Sequence, residues 1–228
     1  LKYLSVLLIL LGGLLILSSI LTTKNQSVIS PVPKPEIAIK SIDTMKYSRD
    51  IAREKAKDKS FDSVIEKQVA DIAQTGATHI ALGTPYDKEF VSFLKSWIDS
   101  ARRNGLKVWF RGNLSGWEQW FSYPAIDRQT HIQMIGDFIK ENADLFADGD
   151  IFTSCSECEN GGPGDPRKTG DTKGFRNFLI LEYNASQKAF REINKKVATG
   201  YFSMNYDVAK LIMNPATTKA LGGIVAID

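Results

Sequence analysis

Six short apolar runs, each separated from the next by a helical pattern, limit what this chain can fold into more than any other feature. They lie at residues 37–42, 79–82, 106–110, 150–156, 197–202 and 223–227. Runs this short, bounded by Gly, Asn, Asp or Pro, suit buried strands. Between them, Phe61, Ile65, Val69 and Ile72 recur at helical spacing up to Gly76. Phe90, Leu94, Trp97, Ile98 and Ala101 share a helix face that Asn104-Gly105 closes, with Asp87 as the expected N-cap. Ile132, Ile135, Phe138, Ile139 and Leu145 mark a third long helix, residues 175–194 a fourth, and residues 215–221 a short one. Strands alternating with helices imply a parallel sheet. A doubly wound sheet would carry a Gly-rich phosphate turn after its first strand, where Asp43-Thr44-Met45 stands instead. The expected fold is therefore α/β, a (β/α)8 TIM barrel that is incomplete in this chain, with six β/α units visible and the chain stopping after the sixth.

A different kind of segment precedes the barrel region. Residues 4–21 carry no charge and follow Lys2, as a secretory signal or a single membrane-spanning helix does. An uncleaved anchor is favoured over a cleaved signal, which puts the rest of the chain outside the cytoplasm, membrane-anchored or secreted. Residues 22–36 hold Pro31, Pro33 and Pro35 among Ser, Thr, Lys and Asn and read as an extended spacer. The expected organisation is residues 1–21 as signal or anchor, 22–36 as Pro-rich linker and 37–228 as the partial barrel. A net charge of +3 with no long basic stripe argues against a nucleic-acid surface.

The most informative loop is D-I-F-T-S-C-S-E-C-E-N-G-G-P-G-D-P at residues 150–166. Its strand-like start stops at Glu157 and Glu159, beside Asn160, where glycines and prolines force a long irregular turn. In a parallel barrel the C-terminal strand ends carry the active site, so carboxylates here read as catalytic. Strand parity would put Glu157 on one face with Thr153 and Cys155.

Ser156-Glu157-Cys158 resembles the Asn-Glu-Pro strand-four signature of the clan A glycoside hydrolases, eight-stranded barrels that cleave glycosidic bonds with retention. The resemblance implies that Glu157 is the general acid/base, that the nucleophile Glu lies at the end of strand seven, beyond Asp228, and that the substrate is a β-linked extracellular or cell-wall glycan. Ser156 replaces the amide that meets the sugar 2-hydroxyl in that clan, and Cys158 replaces the proline.

The strand-three exit adds Arg111 and Asn113, able to hydrogen-bond hydroxyls or a carboxylate, and the loop aromatics Trp117, Trp120 and Phe121, of which Trp117 is the expected stacking ring. Glu159, Asn160, Tyr201, Asn205 and Asp228 complete the expected substrate-binding set, with Asp43, Thr84, Tyr86, Ser203 and Tyr206 as further polar or aromatic positions at strand ends. Cys155 and Cys158 form the only C-x-x-C, read as a disulfide or two packed thiols; a redox dithiol usually opens a helix, and this motif closes a strand. His79 and His131 stand at no metal-ligand spacing from the cysteines, so neither metal nor cofactor is expected. The reading is a retaining glycoside hydrolase; its rival is a non-catalytic glycan-binding barrel that has lost the carboxylate pair.

Overall fold

The computed structural model describes residues 38–44, 46–116, 118, 123–223, 226 and 227. The 1–21 segment, the Pro-rich linker at 22–36, Trp117, Trp120, Phe121 and Asp228 lie outside the described residues. Among the described residues no helix is long and apolar enough to cross a membrane.

The chain is α/β with a parallel sheet at its centre. Strands β1 (Ser41–Asp43), β2 (His79–Leu82), β3 (Lys107–Phe110), β4 (Ile151–Phe152) and β5 (Ala198–Thr199) pair in the order they occur in the chain. Every pairing is parallel, from Ser41 opposite His79 through Phe110 opposite Phe152 to Phe152 opposite Thr199. The sequential order has no point at which the winding reverses. The expected fifth strand is broken: Gly200 takes φ 95°, and a Cβ there would overlap the carbonyl of Leu221. The chain then resumes as β6 (Ser203–Met204), which pairs in parallel with β7 (Ala226–Ile227) as a separate two-stranded sheet.

Helices α1 (Arg49–Lys57), α2 (Phe61–Gln74), α3 (Val91–Arg103), α4 (Arg128–Glu141), α5 (Pro166–Thr169), α6 (Thr172–Glu192), α7 (Tyr206–Ile212) and α8 (Pro215–Ala220) fill the connections. The α3 pattern holds: Leu94, Trp97, Ile98 and Ala101 are buried, with Phe90 in the turn just before the helix. Asp87 differs from expectation. It makes no side-chain cap; its carboxylate faces the Arg49 guanidinium at 3.1 Å instead. Helix α1 was not expected, because R-D-I-A-R-E-K-A-K buries only Arg49 and Ala52 and so lacks a broad apolar stripe; Ser48 caps it by accepting the Ile51 N–H.

Strand parity decides where the core sits. Ile80, Leu82, Val108, Phe110 and Phe152 form one cluster with apolar residues of α2, α3, α4 and α6, so these four helices pack on one face of the sheet. Rings dominate it: Phe110 and Tyr86 lie 4.7 Å from Phe146 and Phe138 respectively, and Phe190 lies 5.0 Å from Phe146. Ala81, Trp109 and Ile151, in register with one another, occupy the alternate positions. A second cluster joins Cys155 and Cys158 to Phe175, Phe178, Phe202 and Met204.

At the N-terminal end of β4, Asp150 is fully buried and locks three segments together. It accepts from Arg102 Nη1 at 2.8 Å, from the Val108 N–H at 2.9 Å and from the Ala147 N–H at 2.8 Å.

Candidate functional site

The C-terminal ends of β1 to β4 open onto a cleft of about 200 Å3 lined by Asp43, Thr44, Lys46, Ala81, Gly83, Arg111, Ser156 and Glu157. Close approach of the loops builds it. Gly112, just past β3, runs so near the β2 exit that a Cβ would overlap the Thr84 carbonyl, and this sets Arg111 at the cleft wall.

Glu157 is the central residue, though not by the parity argument. β4 ends at Phe152, and Thr153 makes the last sheet-like bond, its N–H donating to Phe110 O at 2.9 Å. Glu157 lies beyond, before a 3-10 turn at Cys158–Asn160, with φ 53° and ψ 43°. A left-handed backbone at a non-glycine residue costs about 1–3 kcal/mol, so the surroundings must impose it. They do so from three sides. The Glu157 N–H donates to Ser203 O at 3.0 Å, its carbonyl accepts the Asn160 N–H at 2.9 Å, and the cysteines on either side of Ser156-Glu157 are joined as a disulfide.

The Glu157 side chain is gripped by Lys46 Nζ at 2.7 Å from Oε1 and by Asn160 Nδ2, which donates to Oε2 at 3.1 Å. Lys46 and Glu157 are 28% and 26% exposed, so their pair is worth no more than about 1 kcal/mol and can be exchanged for a ligand. Arg111 pairs with the Asp43 carboxylate, donates to Ser203 Oγ at 3.0 Å and lies 5.9 Å from the Trp109 ring centre. Ser156 donates its hydroxyl to Arg111 O at 3.0 Å. Two carboxylates and two cationic side chains thus line the cleft as two pairs, Lys46 with Glu157 and Arg111 with Asp43.

Of the expected binding residues, Arg111 and Glu157 line the cleft, and Asn160 reaches it through Glu157. Asn113 instead ties two loops, its Nδ2 donating to Ser156 O at 2.7 Å. Asn205 caps α7 by accepting the Asp207 N–H. Tyr201 lies between β5 and β6 with its ring edge-on to Trp109 at 5.3 Å. Trp117 and Asp228 lie outside the described residues. Tyr86 is core, its hydroxyl donating to Thr153 O at 2.8 Å. Sequence reasoning missed Lys46; the signal was available, since Lys46 follows the same strand-one exit as Asp43 and Thr44.

Glu159 is 2% exposed and accepts the Asn205 N–H at 2.7 Å, so it supports the loop rather than lining the cleft. Burial raises its pKa, and the nearby Glu157 charge adds to this. Native Glu159 therefore keeps a proton that the unfolded chain has already released, and its contribution to stability falls as pH rises from about 4.3, the usual glutamate value, to its raised value. Glu159→Gln removes that loss. Urea unfolding at pH 4 and pH 7 should show the variant gaining relative to the wild type at the higher pH; a gap that is independent of pH would contradict it.

No metal-ligand spacing links either histidine to the cysteines in the sequence, yet the fold brings one of them close. Packing of α4 against α6 carries His131 to Cys155, Nε2 to Sγ 3.3 Å, and the donor atoms of His131, Cys155 and Cys158 all lie within 4.8 Å of one another. Sequence spacing missed this because the neighbours are 24 residues apart and joined only by tertiary packing. Compared with known proteins, the chain matches no family model and no curated protein.

Proposed function

We propose that the cleft is the acid/base half of a retaining glycoside hydrolase site, carried on a (β/α)8 barrel, and that its substrate is a β-linked extracellular or cell-wall glycan. The observation that carries this reading is Glu157 itself: a carboxylate displayed into a polar cleft at the exit of the fourth parallel strand, on a backbone held in a strained conformation. The sequential strand order and the packing of four helices on one sheet face support the barrel. The Trp109 ring, 5.9 Å from Arg111 and edge-on to Tyr201, offers flat apolar surface to a sugar. In this reading Glu157 protonates the leaving oxygen and then activates water, while a second carboxylate about 5–5.5 Å away attacks the anomeric carbon. The apolar residues 4–21 support an extracytoplasmic, membrane-anchored or secreted protein.

Glycan binding without hydrolysis is the second reading. It is favoured by the existing charge pairs, Lys46 with Glu157 and Arg111 with Asp43, which leave both carboxylates of the cleft compensated. Proton NMR of the full-length protein with aryl β-glycosides and β-glucan fragments separates the two. Hydrolysis should give the β-anomer first. An α-anomer as first product contradicts retention, and saturable binding with no turnover supports the second reading.

A further inference from the structure

Beneath the cleft, four buried side chains form a chain of contacts that the glycan reading does not use. Glu182 Oε1 lies 2.8 Å from His131 Nδ1, and His131 Nε2 lies 3.3 Å from Cys155 Sγ, which is bonded to Cys158. Glu182 and His131 are fully buried and each cysteine is 1% exposed. The Phe178 ring packs edge-on to the imidazole at 5.7 Å.

The hydrogen inventory of this chain is informative. In the neutral ring whose Nδ1–H faces the Glu182 carboxylate, the Nε2 lone pair is aimed at Cys155. Opposite a disulfide, which has no hydrogen to give, that lone pair meets no donor. Opposite an open dithiol it gains a proton and faces a thiolate. Glu182 then stabilises the imidazolium, as the orienting carboxylate of a thiolate–imidazolium pair does. The polar groups are thus better matched to the reduced state than to the oxidised one. Among the described residues Glu182 Oε2 has no hydrogen-bond partner, so the buried carboxylate relies on His131 for compensation, which an imidazolium supplies.

We propose that Cys155 and Cys158 form a reversible redox site, a disulfide whose opened form is stabilised by His131 and Glu182, and that it reacts with dithiol reductants. The thiolate of the reductant attacks Cys158 Sγ, the Sγ–Sγ bond breaks, and its electron pair leaves on Cys155 Sγ. The second thiolate of the reductant then displaces Cys158, and the reductant departs as its own disulfide. Two electrons enter the protein. Of the two protons given up, one ends on Cys158 and the other on His131 Nε2. Because both sulfurs are covered, local opening of the residue 153–160 loop sets the rate, while the His131–Glu182 pair sets the equilibrium. Glu157 sits inside the ring that this bond closes, so opening it frees the left-handed turn that displays the carboxylate.

The equilibrium is read on the sulfurs and stands or falls whatever the cleft binds. Full-length protein is equilibrated in graded mixtures of reduced and oxidised glutathione and of the two dithiothreitol forms, quenched with an alkylating reagent and weighed intact. The wild type is expected to open within the glutathione range while keeping its far-UV circular dichroism. His131→Gln should shift the thiol–disulfide constant at least tenfold towards the disulfide, about 30 mV for this two-electron couple. Glu182→Gln should shift it the same way by less. A wild-type bond that survives the whole glutathione range and opens only on unfolding overturns the proposal, and this needs no variant to fold. Stoichiometric retention of added Zn2+ by the reduced protein, blocking reoxidation, also overturns it, in favour of a metal centre built from His131, Cys155 and Cys158.

Discussion

Asp150→Ala should cost about 3–5 kcal/mol of folding stability, a large fraction of the roughly 5–15 kcal/mol that a domain usually has. The carboxylate is fully buried and receives a guanidinium from α3, the Val108 N–H of β3 and the Ala147 N–H of the preceding turn. Truncation leaves the Arg102 charge, the buried Val108 N–H and the half-buried Ala147 N–H without their acceptor at once, and this makes the loss larger than that of a surface pair. Asp150→Asn keeps the shape and one acceptor and should lose less. Urea unfolding of the two variants checks the order. A loss below 1 kcal/mol for Asp150→Ala would mean that water or a neighbour replaces the carboxylate.

How much of this was legible in the sequence depends on the range of the interaction. Strand and helix periodicity is local, so α3 could be read from Leu94, Trp97, Ile98 and Ala101, and β2 and β3 fell where their apolar runs stand. The break at Gly200 was not readable, because it follows from a close approach to Leu221, and no pattern within residues 197–202 encodes it. Glu157 does line the cleft, but the parity argument for its direction does not hold. Strand parity assumes that the strand continues to residue 156, whereas the strand ends at Phe152 and the left-handed turn between the cysteines aims the side chain. His131 and Glu182 were invisible for the opposite reason to α3: each looks like an ordinary helical residue, and only the packing of α4 on α6 brings them to Cys155. Lys46 could have been found, since the strand-one exit had already drawn attention to Asp43.

A neighbouring carboxylate is not a sound control for Glu157. Glu159, two residues on, is buried and holds the Asn205 N–H, so altering it perturbs the loop that positions Glu157. Glu89, exposed and paired with Arg53 on the surface, is a cleaner comparison.

Glu157→Gln in the full-length protein, assayed on a series of β-glycosides that differ in leaving-group acidity, tests the central claim most directly. General acid catalysis contributes about 10²–10⁴-fold, and the contribution is largest where the leaving oxygen most needs a proton. The account predicts losses of that size for alkyl or sugar leaving groups and much smaller losses for activated aryl groups. Glu89→Gln should be unchanged throughout, and the melting temperature should barely move, because Gln keeps the volume of the side chain and Lys46 remains partly solvated. A uniform loss across the series, or full activity in Glu157→Gln, would contradict the assignment of Glu157 as the acid.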